Sequence, residues 1–194
     1  NTEILGVVTH KNNVKISYCE KLKIHNHCDL KTIFKNSVKT FFTHKCNKKI
    51  LGFIKNNYID YIFVCGWYFK ISQEIIDAVD SRIFGVHFSL LPKLRGGAPL
   101  NWAILLGEKK TGITIFQISN KIDSGNYIIQ KSFSILNSDY INDLMEKSIN
   151  LLKKSIREFV LLFKKKKILL KKQNGKPSYV SQRSIEDSRI NWKD

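Results

Sequence analysis

Residues 84–107 read FGVHFSLLPKLRGGAPLNWAILLG, and three regimes follow one another within them. FGVH closes a run of β-type residues that begins at Arg82. A long bend rich in Pro, Arg and Gly comes next. Pro99 then opens a helix, because a first-turn Pro loses no needed donor, and Gly107 suits its stop. A strand, an ordered bend and a helix in that order predict one unit of a parallel α/β sheet.

Working outward, the same alternation continues on both sides. Upstream lie ILGVVTH at residues 4–10, a short helix in DLKTIFKN, and a brief strand in VKTFFT. KKILGFIK at 48–55 reads as a helix feeding YIDYIFVCGW at 58–67, which is apolar on both faces as a central parallel strand should be. Ser72 is expected to cap QEIIDAV, with Glu74 in the first turn where the helix dipole favours it. Downstream come a strand in GITIFQIS, a bend in SNKIDSGN and a strand in YIIQKSFSI. Ile141, Leu144, Met145, Ile149, Leu152, Ile156, Phe159, Val160 and Phe163 step by three and four, which predicts a long amphipathic helix. Residues 173–194 form a polar tail ending near Trp192, and no internal repeat is present.

At 194 residues and 43% apolar content, the chain can bury one sizeable core with a possible appendage. It holds no run of about 18 apolar residues that would cross a membrane as a helix, and no signal-peptide pattern. Cys19, Cys28, Cys46 and Cys65 form no CxxC pair, so reduced thiols and a cytoplasmic location are expected. Cys19, His25, His27 and Cys28 crowd together in YCEKLKIHNHC, but their spacing fits no usual zinc pattern, and no metal is expected. The net charge of +17 is lysine-rich, and Ile and Asn are abundant with it. That joint bias suits an AT-rich coding sequence. A reader of phosphate geometry would lean on Arg. The cluster Lys164–Lys167 with Lys171 and Lys172 leaves attraction for an anionic substrate open, whether a nucleotide sugar or a tRNA.

Ligands of open α/β sheets sit beyond the carboxyl ends of the strands. Three stretches converge on that rim: GWYFK, His87 with SLLPKLRGG, and SNKIDSGN with Asp123. A histidine and an aspartate on strand-end loops are the minimal kit for proton transfer, the carboxylate fixing the imidazole tautomer. On spacing alone, a lone strand-end histidine is as readily a hydrogen-bonded structural group. Trp67, Tyr68 and Phe69 read equally as core closure.

HFSLLPKLRGGAPLNWAILLGEKKTGITIF followed by IDSGNYIIQ resembles the catalytic domain of folate-dependent formyltransferases, a family that includes methionyl-tRNA, glycinamide ribonucleotide and amino-sugar formyltransferases. The motifs His-x-Ser-Leu-Leu-Pro, Arg-Gly, Ala-Pro, Gly-x-Thr and Asp-x-Gly occur in order. The tail YVSQRSIEDSRINW is similar to the segment after the core in the tRNA and amino-sugar branches. The resemblance implies a Rossmann-like fold, its mostly parallel sheet flanked by helices. Because the chain opens on Asn1 with a strand-like run close behind, it is expected to lack the first βα unit, the chain being part of a longer one. A catalytic domain is expected over 1–163 and a basic linker with the start of a C-terminal extension over 164–194.

The implied reaction is attack of a primary amine on the formyl carbon of 10-formyltetrahydrofolate, the co-substrate. His87 would be the base or oxyanion partner, and Asp123 would orient and charge it. Tyr68, Phe69, Lys70 and Ile71, with Ile118, Ser119, Lys121 and Ile122, would contact the folate. Ser89, Arg95, Gly96, Gly97 and Asn101 would belong to the substrate loop, its glycines shaping backbone approach to substrate and cofactor. The family places an Asn two residues before the histidine, where this chain has Gly85. Loss of one oxyanion donor can cost about 2.7–4 kcal/mol, and Asn101 or a water would have to substitute. The Gly-x-His form also resembles a subset of the amino-sugar branch. The leading expectation is formyl transfer to a nucleotide-linked amino sugar. Formylation of initiator methionyl-tRNA and a catalytically silent binding module are the alternatives.

Overall fold

The computed structural model describes residues 3–10, 13–16, 19–23, 30–34, 37–43, 48–184, 186–189 and 192. In chain order they form β1 (Gly6–Thr9), β2 (Asn13–Ile16), β3 (Cys19–Lys23), α1 (Leu30–Phe34), β4 (Lys39–Phe42), α2 (Lys48–Asn56), β5 (Ile62–Val64) and α3 (Gln73–Ala78). There follow β6 (Ile83–His87), β7 (Arg95–Gly96), α4 (Pro99–Leu105), β8 (Lys110–Gln117), β9 (Tyr127–Ser134), α5 (Ile141–Lys164), β10 (Tyr179–Val180) and a 3₁₀ turn at Glu186–Ser188. Two compact units result: residues 1–62 with 66–82, and residues 63–65 with 83–194.

In the first unit β1 and β4 pair in parallel, Gly6 opposite Lys39 through Thr9 opposite Phe42. β2 and β3 pair antiparallel. α2 and α3 bury Ile50, Ile54, Ile75 and Ile76. Ser72 stands at the N-cap of α3 in extended backbone, but its carbonyl, not its hydroxyl, takes the first amides, those of Ile75 and Ile76. The strand expected over 58–67 is confined to Ile62–Val64, and Tyr58 turns the chain at φ 48°.

The second unit holds the four-stranded sheet β5-β6-β8-β9. Thr111 to Phe116 are all buried along β8, the continuous pattern of a strand covered on both faces. β6 pairs with β8 antiparallel, and β8 with β9 likewise. No helix intervenes between β8 and β9, so the chain can only double back. The four-stranded sheet is therefore antiparallel across β6, β8 and β9, while β1/β4 and β7/β10 are separate parallel pairs. α4 ends as its sequence asks. Gly107 at φ 64° lets its N–H reach Ile104 O and lets Glu108 N–H reach Ala103 O, both at 2.9 Å, the double bond of a Schellman stop.

α5 lies on β8 and β9. Its buried stripe is Leu144, Ser148, Leu152, Ser155 and Phe159, while Met145 and Ile149, expected inward, stand more than one-third exposed. Two serines replace bulky groups where the helix approaches its neighbours. Phe159 is buried between Phe63 and Phe84, ring centres 5.6 and 5.2 Å away. Burying such a ring is worth about 1.5–3 kcal/mol. The Asp143 carboxylate accepts the Tyr140 N–H at 2.8 Å, which satisfies a donor at the helix start.

Candidate active site

Ile83 and Phe84 bury the start of β6, and the strand delivers His87 to its end, opposite Thr114 of β8. His87 is buried, only 7% exposed. The Leu94 carbonyl lies 2.6 Å from its Nε2. A carbonyl only accepts, so Nε2 carries the hydrogen. Nδ1 lies 3.6 Å from Oδ2 of Asp123. The same Asp123 oxygen accepts the Gly96 N–H at 2.8 Å.

Backbone strain gathers around this pair. Leu94, Ala98 and Asp123 hold φ of 56°, 48° and 46°, a region non-glycine residues rarely enter. Each such residue persists only because its surroundings fix it. Thr114 does part of the fixing, its hydroxyl donating to Ser89 O at 2.7 Å and accepting the Leu91 N–H at 3.2 Å. Gln130 adds a bond to Leu91 O at 2.8 Å, and the Leu91–Pro92 peptide is cis. Ser89 is wholly buried, with its hydroxyl on Lys93 O at 2.6 Å. Among the expected substrate-loop residues it is thus a member of the bend's own scaffold.

The segment after Lys164 turns back onto this bend. β10 pairs in parallel with β7, Tyr179 opposite Arg95 and Val180 opposite Gly96. Leu94 N–H donates to Ser178 Oγ at 2.9 Å, and Trp102 Nε1–H donates to Ser181 O at 2.7 Å. Gly96 sits at φ 102°, and a Cβ there would lie 2.2 Å from Val180 O. One on Gly97 would lie 2.5 Å from Gln182 N. Both glycines are thus required by a close approach to the chain's own tail. Arg95 is turned inward too, bonded to Gln173 and Tyr179, and Asn101 is half-buried on α4.

Gly85 lies in β6 opposite Phe116, with φ outside the left-handed region. An added Cβ would meet Cδ1 of Ile118 at 2.7 Å. The room for an asparagine there is filled by Ile118, itself one of the expected folate residues. On the same loop the Ser119 and Ser124 hydroxyls lie 3.1 Å apart, while Lys121 and Ile122 are exposed.

In the first unit GWYFK and His10 form an aromatic group. The His10 ring is 5.7 Å from Trp67, 5.9 Å from Tyr68 and 6.3 Å from Phe69. His10 was missed by sequence reasoning, since nothing marks a histidine at the end of an edge-like run. Trp67 Nε1 is buried with no hydrogen-bond partner, and burial pushes the Tyr68 phenol up. Lys70 is exposed and Ile71 half-buried. Among the described residues no cluster of His, Cys, Asp or Glu could hold a metal, and no helix is long and apolar enough to cross a membrane. His25, His27 and Cys28 lie outside the described residues, as do the side chain of Cys19 and the start of the chain.

The family model described as formyl transferase matches residues 1–160. The methionyl-tRNA formyltransferase of Mycoplasma mycoides is 36% identical over 134 residues, which are 69% of this chain but only 42% of that relative. The chain thus spans under half of that protein's length. Among solved structures, the formyltransferase PseJ from Anoxybacillus kamchatkensis, complexed with a formamido nucleotide sugar and tetrahydrofolate, is 22% identical. It superposes with a TM-score of 0.65 over 93% of this chain and 86% of its own. Methionyl-tRNA formyltransferase from Clostridium thermocellum is also 22% identical, with a TM-score of 0.60 over 99% of this chain and 78% of its own. At those identities the two structures share the fold.

Proposed function

This chain belongs to the formyl transferase family, and from that premise we propose that it transfers a formyl group from 10-formyltetrahydrofolate to the amine of methionyl-tRNA. The observation that carries formyl transfer is the buried His87 ring held between Leu94 O at 2.6 Å and Asp123 Oδ2 at 3.6 Å. The acceptor rests on the 36% identical relative. Gly85 in place of Asn favours a second reading, transfer to a nucleotide-linked amino sugar.

When bound, the folate supplies the formyl carbon as an activated amide. Trp67 Nε1–H, an unused donor within a group of aromatic rings, suits a flat heteroaromatic ring with acceptors. The residues proposed to contact it remain Tyr68, Phe69, Lys70, Ile71, Ile118, Ser119, Lys121 and Ile122. The acceptor amine loses one proton and the leaving nitrogen gains one, so the net change is one proton passed from amine to leaving nitrogen. His87 Nε2–H can give its proton to the leaving nitrogen and take the amine's in return, so the ring ends as it began. To act, Nε2–H must first leave the Leu94 carbonyl, while Asp123 keeps the ring oriented.

The test supplies the full-length protein with 10-formyltetrahydrofolate carrying a labelled formyl group, and offers methionyl-tRNA, nucleotide-linked amino sugars and glycinamide ribonucleotide as acceptors. Label is expected on methionyl-tRNA. Label on the sugar alone would select the second reading. Label on no amine, from folded protein, would mark a silent binding module.

A further inference from the structure

We infer that Gln173 is a positioning residue for the His87–Asp123 pair, acting through the backbone of the Asp123 loop and through Arg95. For its kinetic consequence this rests on the formyl-transfer reading, while its structural consequence does not. Gln173 lies 50 residues beyond Asp123 and 78 beyond Arg95 in sequence, yet its side-chain amide touches both. Nε2 donates to Asp123 O at 2.9 Å and to Gly125 O at 2.8 Å, so both of its hydrogens are used. Oε1 accepts from Arg95 Nη2 at 2.7 Å and Nε at 3.3 Å. Arg95 is also fixed by the Tyr179 hydroxyl at 2.8 Å, with its guanidinium 5.5 Å from the centre of that ring.

The bonds close a ring. Asp123 Oδ2 takes the Gly96 N–H, Gly96 is joined to Arg95, Arg95 donates to Gln173, and Gln173 donates back to Asp123 O. The ring sets the direction of the carboxylate that faces His87 Nδ1. Asp123 holds this orientation at φ 46°, where the backbone needs outside support. Only a carboxamide supplies two donors on one side and an acceptor on the other. Glu would set an oxygen against two carbonyls, and Leu would satisfy none of the partners.

The competing role is that of a fastener for the tail. The tail has its own bonds, Arg95 N–H to Ser178 O at 2.9 Å and Gly97 N–H to Val180 O at 3.0 Å. The two roles therefore separate at neighbouring amides. Gly96 N–H reports the carboxylate, and Gly97 N–H reports the tail.

The experiment compares full-length wild type with Gln173→Leu and Gln173→Glu by amide hydrogen exchange and by steady-state kinetics. Positioning predicts that Gly96 N–H exchanges at least about tenfold faster in both variants while Gly97 N–H is unchanged. It also predicts that kcat falls about 10–100-fold with each KM within about threefold, as expected when reacting groups are misdirected by less than an ångström or so. An unchanged Gly96 rate, an equal rise at Gly97, or an unchanged kcat in an active enzyme would overturn the inference. If wild type formylates no amine, that defeats the functional reading alone, and the exchange comparison still decides the role of Gln173.

Discussion

At the scale of single residues, His87 differs from a simple strand-end histidine in being buried. At 7% exposure, its truncation touches the fold as well as any proton transfer. His87→Ala strands the Leu94 carbonyl and the Asp123 carboxylate, and should cost about 1–3 kcal/mol in unfolding free energy together with a loss of about 10²–10⁴-fold in kcat. A variant as active as wild type would remove His87 from the chemistry. At Gly85 the structure leaves no room for Asn without a shift. Its side chain must displace Ile118 Cδ1, 2.7 Å from the new Cβ, and overpacking of this kind costs about 1–3 kcal/mol. Gly85→Asn should therefore be destabilised, the double variant with Ile118→Ala should recover, and its kcat should rise. A stable double variant with no gain would mean that no donor is missing. His87 and Asp123 were legible because imidazole and carboxylate advertise proton transfer wherever they stand. Gln173 was not, because an amide in a polar tail carries no such mark until a distant arginine is folded against it.

At the scale of elements, periodicity located α5 well, yet it chose Met145 and Ile149 for burial where Ser148 and Ser155 are buried. Hydropathy cannot see that a close helix–sheet approach demands small groups. Strand direction was equally hidden: the alternation predicted parallel neighbours, but pairing is decided by which strands meet in space, as β6 and β8 do. β7 and β10 are two residues each, too short to leave a period. The turn before α5 offers a pH test. The hydrogen bond from Lys147, then that from the Leu136 N–H, holds the Asp139 carboxyl below the ordinary carboxylate range. Because the folded value lies below the unfolded one near about 3.9, the ionised group contributes stability that is full above that pH and lost as pH falls through the folded value. The stability gap between wild type and Asp139→Asn should therefore shrink on acidification in denaturant titrations. A gap independent of pH would dismiss the assignment.

At the scale of the whole molecule, the net charge of +17 poses a question composition could not answer. If it serves an anionic acceptor, kcat/KM toward methionyl-tRNA should fall steeply between about 50 and 200 mM salt, by about tenfold for every one or two phosphates contacted. A flat profile would return the lysines to simple solvation. Within the second unit, residues 63–65 with 83–194, hydrogen bonds at Ser178, Val180 and Ser181 tie the tail to the bend and to α4.

The pairing of β7 with β10 has a consequence in time. Leu94 and Ser178 are 84 residues apart, so a ribosome adding about 5–20 residues per second finishes the second roughly 4–17 s after the first. From the addition of Asp123, 55 residues before Ser178 and so about 3–11 s before it at that rate, a nascent chain carries its histidine, its aspartate and its glycine pair, but not the strand that locks them. Prematurely released polypeptides would hold the reactive groups without their alignment. Alignment of the pair thus waits on β10, and a protease cutting between α5 and β10 would loosen the bend while sparing His87, Asp123 and both glycines.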